Sequence, residues 1–213
     1  MKGQLITFEG GEGVGKTTQI SLLLEKLEEH GVPFLLTREP GGTALGEAIR
    51  HILKFSGPGV QISPVSELML FCASRAQLVT EVISPALSQG RLVVCDRFFD
   101  STVVYQGIAR GIGLEYLDTL RKLTLGNVWP ILTFVLDIKP EIARERALLR
   151  SRQEGHAPDR LEAEPLEFYE KISNAYKQLA QKEPHRVKVI PASGQAGEIA
   201  AQIWSLVKDA IKL

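Results

Sequence analysis

The chain is 213 residues long and 44% hydrophobic, enough to bury one core of the larger kind. Lysine plus arginine equals aspartate plus glutamate at 25 each, so no global field points to a nucleic acid or a membrane, and any anion specificity must be local. Two cysteines, Cys72 and Cys95, are too few for a disulfide framework; both lie in apolar stretches and read as buried, reduced thiols.

The chain opens on the apolar run "QLITFE" (4–9), a predicted strand that ends before the length of a signal-peptide core, and no run approaches transmembrane length. A soluble, cytoplasmic protein is expected, with one domain over 1–213. A helix over 16–30 carries Ile20, Leu23, Leu24 and Leu27 on one face and stops at Gly31. The strand "PFLLT" (33–37) follows. The segment "FSGPGVQIS" (55–63) reads as a loop. Ser63 and Pro64 then open a long helix over 64–89, with Pro85 as a kink near its end. Along it Val65, Met69, Cys72, Ala76, Val79 and Ile83 predict a core stripe, with Phe71, Ser74, Arg75 and Leu78 on another face. Strands are predicted at "RLVVCD" (91–96) and "ILTFVLDI" (131–138). Pro140 opens a helix over 140–150, and the polar "SRQEGHAPDR" (151–160) reads as a loop. Helices over 162–182 and 195–211 flank the strand "RVKVIPA" (186–192). These largely continuous apolar runs, alternating with helices, predict an α/β fold: a five-stranded parallel sheet covered on both faces, with right-handed crossovers. The four histidines (His30, His51, His156, His185) are scattered without metal-ligand spacing, and Trp129 and Trp204 read as packing residues.

One stretch carries chemistry by itself. Gly10-Gly11-Glu12-Gly13-Val14-Gly15-Lys16-Thr17 matches G-x-x-x-x-G-K-S/T at every position, after a strand and before an amphipathic helix. A polyphosphate needs many N–H donors converging on it, and a glycine backbone can wrap that closely. The helix adds its unpaired N–H groups and the positive end of its dipole. Lys16 supplies a cation for the β and γ phosphates, Thr17 a hydroxyl for Mg²⁺, and Thr18 extends the anion site. The chain thus reads as a P-loop nucleotide-binding domain. It contains no N-K-x-D guanine-reading motif and no D-x-x-G at a strand end, which disfavours a GTPase switch.

Further patches fall where ligands bind in open parallel sheets, at strand C-terminal ends. Arg38 ends the second strand and Arg97 the third, and Arg150, Arg152 and Arg160 could fold over them as a lid. Phe71 and Arg75, at i and i+4, either stack on a base and bond its edge or are an ordinary Phe packed by an Arg stem. Asp96 either helps hold a magnesium shell or caps the next helix. Arg97 either neutralises an acceptor phosphate or is a surface cation beside an acid.

Taken in order, "EGGEGVGKTT", "TREPGGT", "FCASRAQL", "DRFFDSTVVYQG", "LDIKPE" and "DRLE" give the chain, over nearly its whole length, a strong resemblance to the thymidylate kinases, P-loop nucleoside monophosphate kinases. The resemblance implies transfer of the γ-phosphoryl of ATP, with Mg²⁺, to dTMP, in dTTP synthesis, and a homodimer packed through helices including 64–89. Phe71 would stack on thymine and Arg75 would bond its edge. Arg38 and Arg97 would hold the acceptor phosphate. Ser101 and Gln106 would belong to the acceptor pocket, Tyr105 would crowd the 2′ position, and Glu12 would face the 3′-hydroxyl. Arg146 would pack on adenine, with Arg144 close by as the other choice. The loop carries no arginine after Glu12, which is the bacterial style in which the lid (about 150–161) supplies it, with Arg150 as first choice. A kinase for dUMP, dCMP or AMP is the alternative within the class. A non-enzymatic ATP-dependent switch is the alternative outside it.

Overall fold

The computed structural model describes residues 3–55, 60–155 and 157–213. Residues 56–59 of the predicted loop, and His156, lie outside the described residues. The five strands β1 (Gln4–Glu9), β2 (Phe34–Arg38), β3 (Leu92–Asp96), β4 (Leu132–Asp137) and β5 (Val187–Pro191) form one parallel sheet in the order β2-β3-β1-β4-β5. Each boundary lies within one residue of the predicted run. Continuous apolar runs give this result because both faces are covered. On β1 and β3, Ile6, Phe8, Leu92 and Val94 face one core with Leu23 and Leu27 of α1 (Lys16–Glu29) and Ile203 and Val207 of α9 (Ala196–Ile211). Leu5, Val93 and Cys95 face the opposite core. The alternation is the two-residue period of a strand.

The opposite face holds α3 (Pro64–Leu78), which runs through a π-helical turn at Val79–Ile83 into α4 (Ser84–Ser88). Pro85 has no N–H to donate, and the helix widens just before it. The predicted core stripe on this helix is corrected by the structure. Val65 and Met69 are 58% and 46% exposed, while Glu67, Leu68, Cys72, Ser74, Arg75 and Leu78 are buried. Cys72, Val79 and Ile83 of the predicted stripe are in the core, but the buried face of the first turns is partly polar, so apolar periodicity misplaced Val65 and Met69. Cys72 and Cys95 are free and buried, as predicted.

Other helices were not predicted. These are α2 (Ala44–Phe55), the short α5 (Phe99–Thr102) with its π-helical continuation Val103–Ala109, and α6 (Leu117–Leu125). The α2 start had a legible signal: Thr43 Oγ1 accepts from the Gly46 N–H at 2.9 Å, an N-cap bond. The helix α7 (Pro140–Gln153) continues three residues into the predicted loop, and α8 (Leu166–Lys182) begins only after Pro165 rather than at 162. Ile172, Ala175 and Tyr176 of α8 pack on Val104, Tyr105 and Val135.

Candidate active site

The glycine turn leaves the C-terminal end of β1 and enters α1. Gly10, Gly13 and Gly15 adopt φ of 127, 74 and 98°, a region that penalises any side chain. A Cβ on Gly13 would lie 2.1 Å from the Ala143 carbonyl oxygen, so the turn rests directly on α7. Lys16 folds back over it and donates from Nζ to the Gly11 carbonyl at 2.8 Å and the Gly10 carbonyl at 3.4 Å. Burial lowers the Lys16 pKa and Arg97 adds to the effect, while Glu12 opposes both.

The turn borders a cavity of about 910 Å³. Glu12, Gly13, Val14, Gly15, Lys16, Thr17 and Thr18 form one wall. Arg38, Phe71, Asp96, Arg97, Ser101, Tyr105, Gln106, Arg146 and Arg150 form others. The fold thus brings most of the residues singled out in the sequence to one cavity; Gly10, Gly11, Arg75, Arg144, Arg152 and Arg160 do not line it. Gly10 and Gly11 lie behind the wall as acceptors for Lys16. Arg75 is 1% exposed and does not line the cavity. Its Nε donates to Glu39 Oε2 at 2.8 Å, while its Nη1 has no hydrogen-bond partner among the described residues. Burial raises the Glu39 pKa to about 7, against the pull of Arg75. Of the two α7 candidates, Arg146 faces the cavity; Arg144 turns away and donates to the Glu164 carbonyl.

Charge is concentrated where the walls meet. Arg97 follows β3 directly, at φ 66°, with its N–H bonded to the Phe8 carbonyl. Its Nη1 reaches the Gly10 carbonyl at 2.9 Å and Ser101 Oγ at 3.2 Å, and its Nη2 reaches Glu12 Oε1 at 2.9 Å. Arg150 Nη2 lies 3.5 Å from Glu12 Oε2 and 2.7 Å from Glu162 Oε1. Burial pushes the Glu12 carboxyl up, but Arg97, Lys16, Arg150 and Lys54 outweigh it and hold the group far below the usual carboxylate range. Arg38 pairs with Glu47 at 2.7 Å on the open side.

Two oxygens fit a magnesium ion. Asp96 Oδ1 is buried with no hydrogen-bond partner among the described residues, and Thr17 shares the cavity. Among the described residues there is no cluster of three or more metal-binding side chains. The Asp96 carboxylate and Thr17 hydroxyl are the hard oxygen donors that Mg²⁺ takes, one or two from protein with the rest from phosphates and water.

The segment after α7 closes one side. Asp159 pairs with Lys54 of α2 at 2.7 Å, Arg160 donates from Nε to the Leu53 carbonyl at 3.2 Å, and Ser151 donates to Glu162 Oε2 at 2.7 Å.

Sequence reasoning gave no role to several buried acids. Glu9 accepts from the N–H of Phe98 at 2.8 Å and from the hydroxyls of Ser101 and Tyr176 at 2.6 and 2.7 Å. Burial and Asp100 raise its pKa, with Arg97 opposing. It fixes the backbone that carries Arg97 and Ser101. The available signal was position: Glu9, Glu39 and Glu162 all sit inside or beside the marker motifs.

A family model described as thymidylate kinase matches residues 8–203. The chain is similar to thymidylate kinase of Synechococcus sp. (strain JA-2-3B'a(2-13)), 48% identical over 208 residues, which are 98% of this chain and 96% of that one. It is equally similar to thymidylate kinase of Bartonella quintana (strain Toulouse), 48% identical over 211 residues, covering 99% and 98%. The crystal structure of thymidylate kinase from Ehrlichia chaffeensis superposes with a TM-score of 0.76 at 33% identity, covering 97% of this chain and 100% of that one.

Proposed function

The chain belongs to the thymidylate kinase family and transfers the γ-phosphoryl of ATP to dTMP, giving dTDP and ADP; from that premise we propose how its own residues carry the reaction. The observation that supports the assignment is one cavity walled by the glycine turn with Lys16 on one side and by Arg97, Phe71 and Tyr105 on another.

The acceptor is a phosphate monoester with a second pKa near ~6, already largely dianionic at neutral pH. It needs no general base. The difficulty is the approach of two anions in line, so catalysis consists of positioning and charge neutralisation. The glycine turn and Lys16 bind the donor phosphates, and Arg146 packs against adenine. Arg150, braced by Glu162, neutralises charge at the transferring group from the lid at 150–161. Arg97 and Arg38 hold the acceptor phosphate, Ser101 steadies Arg97, and Phe71 stacks on the base. Gln106 lies beside the base, Tyr105 crowds the 2′ position and Glu12 faces the 3′-hydroxyl. Arg75, behind the wall, holds Glu39 through Nε and Nη2 and keeps Nη1 to donate to the base edge. Thr17 and Asp96 would hold Mg²⁺, which would supply positive charge to offset that of the phosphates. Excluding water from this site suppresses hydrolysis of ATP.

We place the enzyme in the cytoplasm as one domain. Among the described residues no helix is long and apolar enough to cross a membrane. We further propose a homodimer in which the exposed Val65 and Met69 of α3 are covered. Sedimentation should give twice the chain mass.

Coupled ADP release with ATP, Mg²⁺ and dTMP, dUMP, dCMP or AMP tests the assignment. Turnover should be fastest with dTMP. Release no faster than with ATP alone, for every monophosphate, would overturn it. Asp96→Asn should raise the Mg²⁺ concentration needed for half-maximal rate; an unchanged requirement would remove Asp96 from the magnesium site.

A further inference from the structure

Glu67 lies on α3 one helical turn before Phe71, 1% exposed and behind the cavity wall. Three groups converge on its carboxylate. Gln106 donates from Nε2 to Oε1 at 2.7 Å, Arg110 Nε lies 3.5 Å from the same oxygen, and Arg160 Nη2 pairs with Oε2. Arg110 is itself held by Glu164 at 2.6 Å, and Arg160 by the Leu53 carbonyl. The carboxylate is therefore braced from two sides.

A carboxylate paired with guanidiniums can only accept hydrogen bonds. It dictates which end of the Gln106 amide turns toward it: the NH₂. The carbonyl oxygen is what Gln106 has left for its other neighbours, and Gln106 lines the cavity together with Phe71. An acceptor fixed beside the base platform distinguishes pyrimidines. Thymine carries a proton on its ring nitrogen between the two carbonyls. Cytosine has a bare lone pair there, which would face the amide oxygen and leave both groups unpaired.

We propose that Glu67 is a positioning residue that sets base specificity, by locking the Gln106 amide with its carbonyl toward the acceptor base. The proposal rests on dTMP as acceptor, and it extends that assignment to a residue that touches no substrate.

The test compares kcat/KM for dTMP and dCMP in the full chain and three variants. In Glu67→Gln the new side chain can donate as well as accept, so Gln106 is free to turn over. The dTMP:dCMP ratio should fall at least tenfold, through a higher KM for dTMP and a gain on dCMP, with KM for ATP unchanged. Arg160→Ala leaves Arg110 and Gln106 in place and should keep the ratio within about threefold. A wild-type ratio in folded Glu67→Gln would overturn the proposal, as would loss of the ratio in Arg160→Ala equal to that in Glu67→Gln. If Glu67→Gln does not fold, Gln106→Leu decides: a tenfold fall supports the proposal, and a wild-type ratio overturns it. Wild-type enzyme inactive on dTMP would strike the acceptor assignment instead, which keeps the two failures apart.

Discussion

Arg97 donates from Nη2 to Glu12 Oε1 at 2.9 Å, joining the residue that follows β3 to the tip of the glycine turn that follows β1. Arg150 reaches the other oxygen of the same carboxylate from α7. Glu12 therefore supplies anionic charge between the two arginines proposed above to hold phosphates.

This bridge has a pH signature. An acid held below its ordinary value of 4.5 stabilises the fold above that pH and loses the contribution as pH falls below it. Glu12→Gln should lower the melting temperature of the nucleotide-free protein at pH 7. The gap to wild type should shrink steadily below pH 4.5. A gap that is the same at pH 7 and pH 3.5 would show that the carboxylate charge is not the cause.

Arg150→Ala should lower kcat by about 10³–10⁵, the range for loss of a transition-state arginine, and change KM for either nucleotide far less. Steady-state kinetics in both substrates decides it. A kcat within about tenfold of wild type would move the role to another arginine of the lid.

Gly13→Ala places a methyl group 2.1 Å from a backbone carbonyl, at a φ of 74° that side chains rarely adopt. The turn must shift, and its N–H groups with it. Calorimetric titration should show ATP affinity at least tenfold weaker. Affinity within threefold of wild type would mean that the turn tolerates the shift and does not set the phosphate geometry.

Behind the site, Arg186 and Asp100 form a buried pair, Nη1 to Oδ2 at 2.6 Å and Nη2 to Oδ1 at 3.0 Å, joined by Thr133. Arg186→Met leaves the aspartate buried and uncompensated, and urea unfolding should show a loss of about 3–5 kcal/mol. The double variant with Asp100→Leu should recover much of it. A single variant as stable as wild type would mean that water reaches Asp100.

The sheet was legible in the sequence because doubly covered strands are almost uninterrupted apolar runs, and the glycine turn because its backbone demands are strict. Arg38, Asp96 and Arg97 could be placed from strand ends, and Thr17 from the glycine motif. The long helix was misread because its buried face carries Glu67, Ser74 and Arg75, whose partners Glu39 and Gln106 are distant in sequence. Periodicity counts apolar groups and cannot see a polar group satisfied from another element. The same limit hid Glu9 and the Glu39 carboxylate that holds Arg75.

Neighbouring strands in a sheet lie about 4.8 Å apart, and β1 and β3 are neighbours, with Phe8 opposite Asp96. The glycine turn and Arg97, proposed above to hold the acceptor phosphate, are therefore anchored to one hydrogen-bonded ladder. Their separation is a property of the main chain, insulated from exchanges elsewhere. On the proposed assignment, substitutions on α3 would alter which base is admitted while leaving the spacing between the glycine turn and Arg97 unchanged.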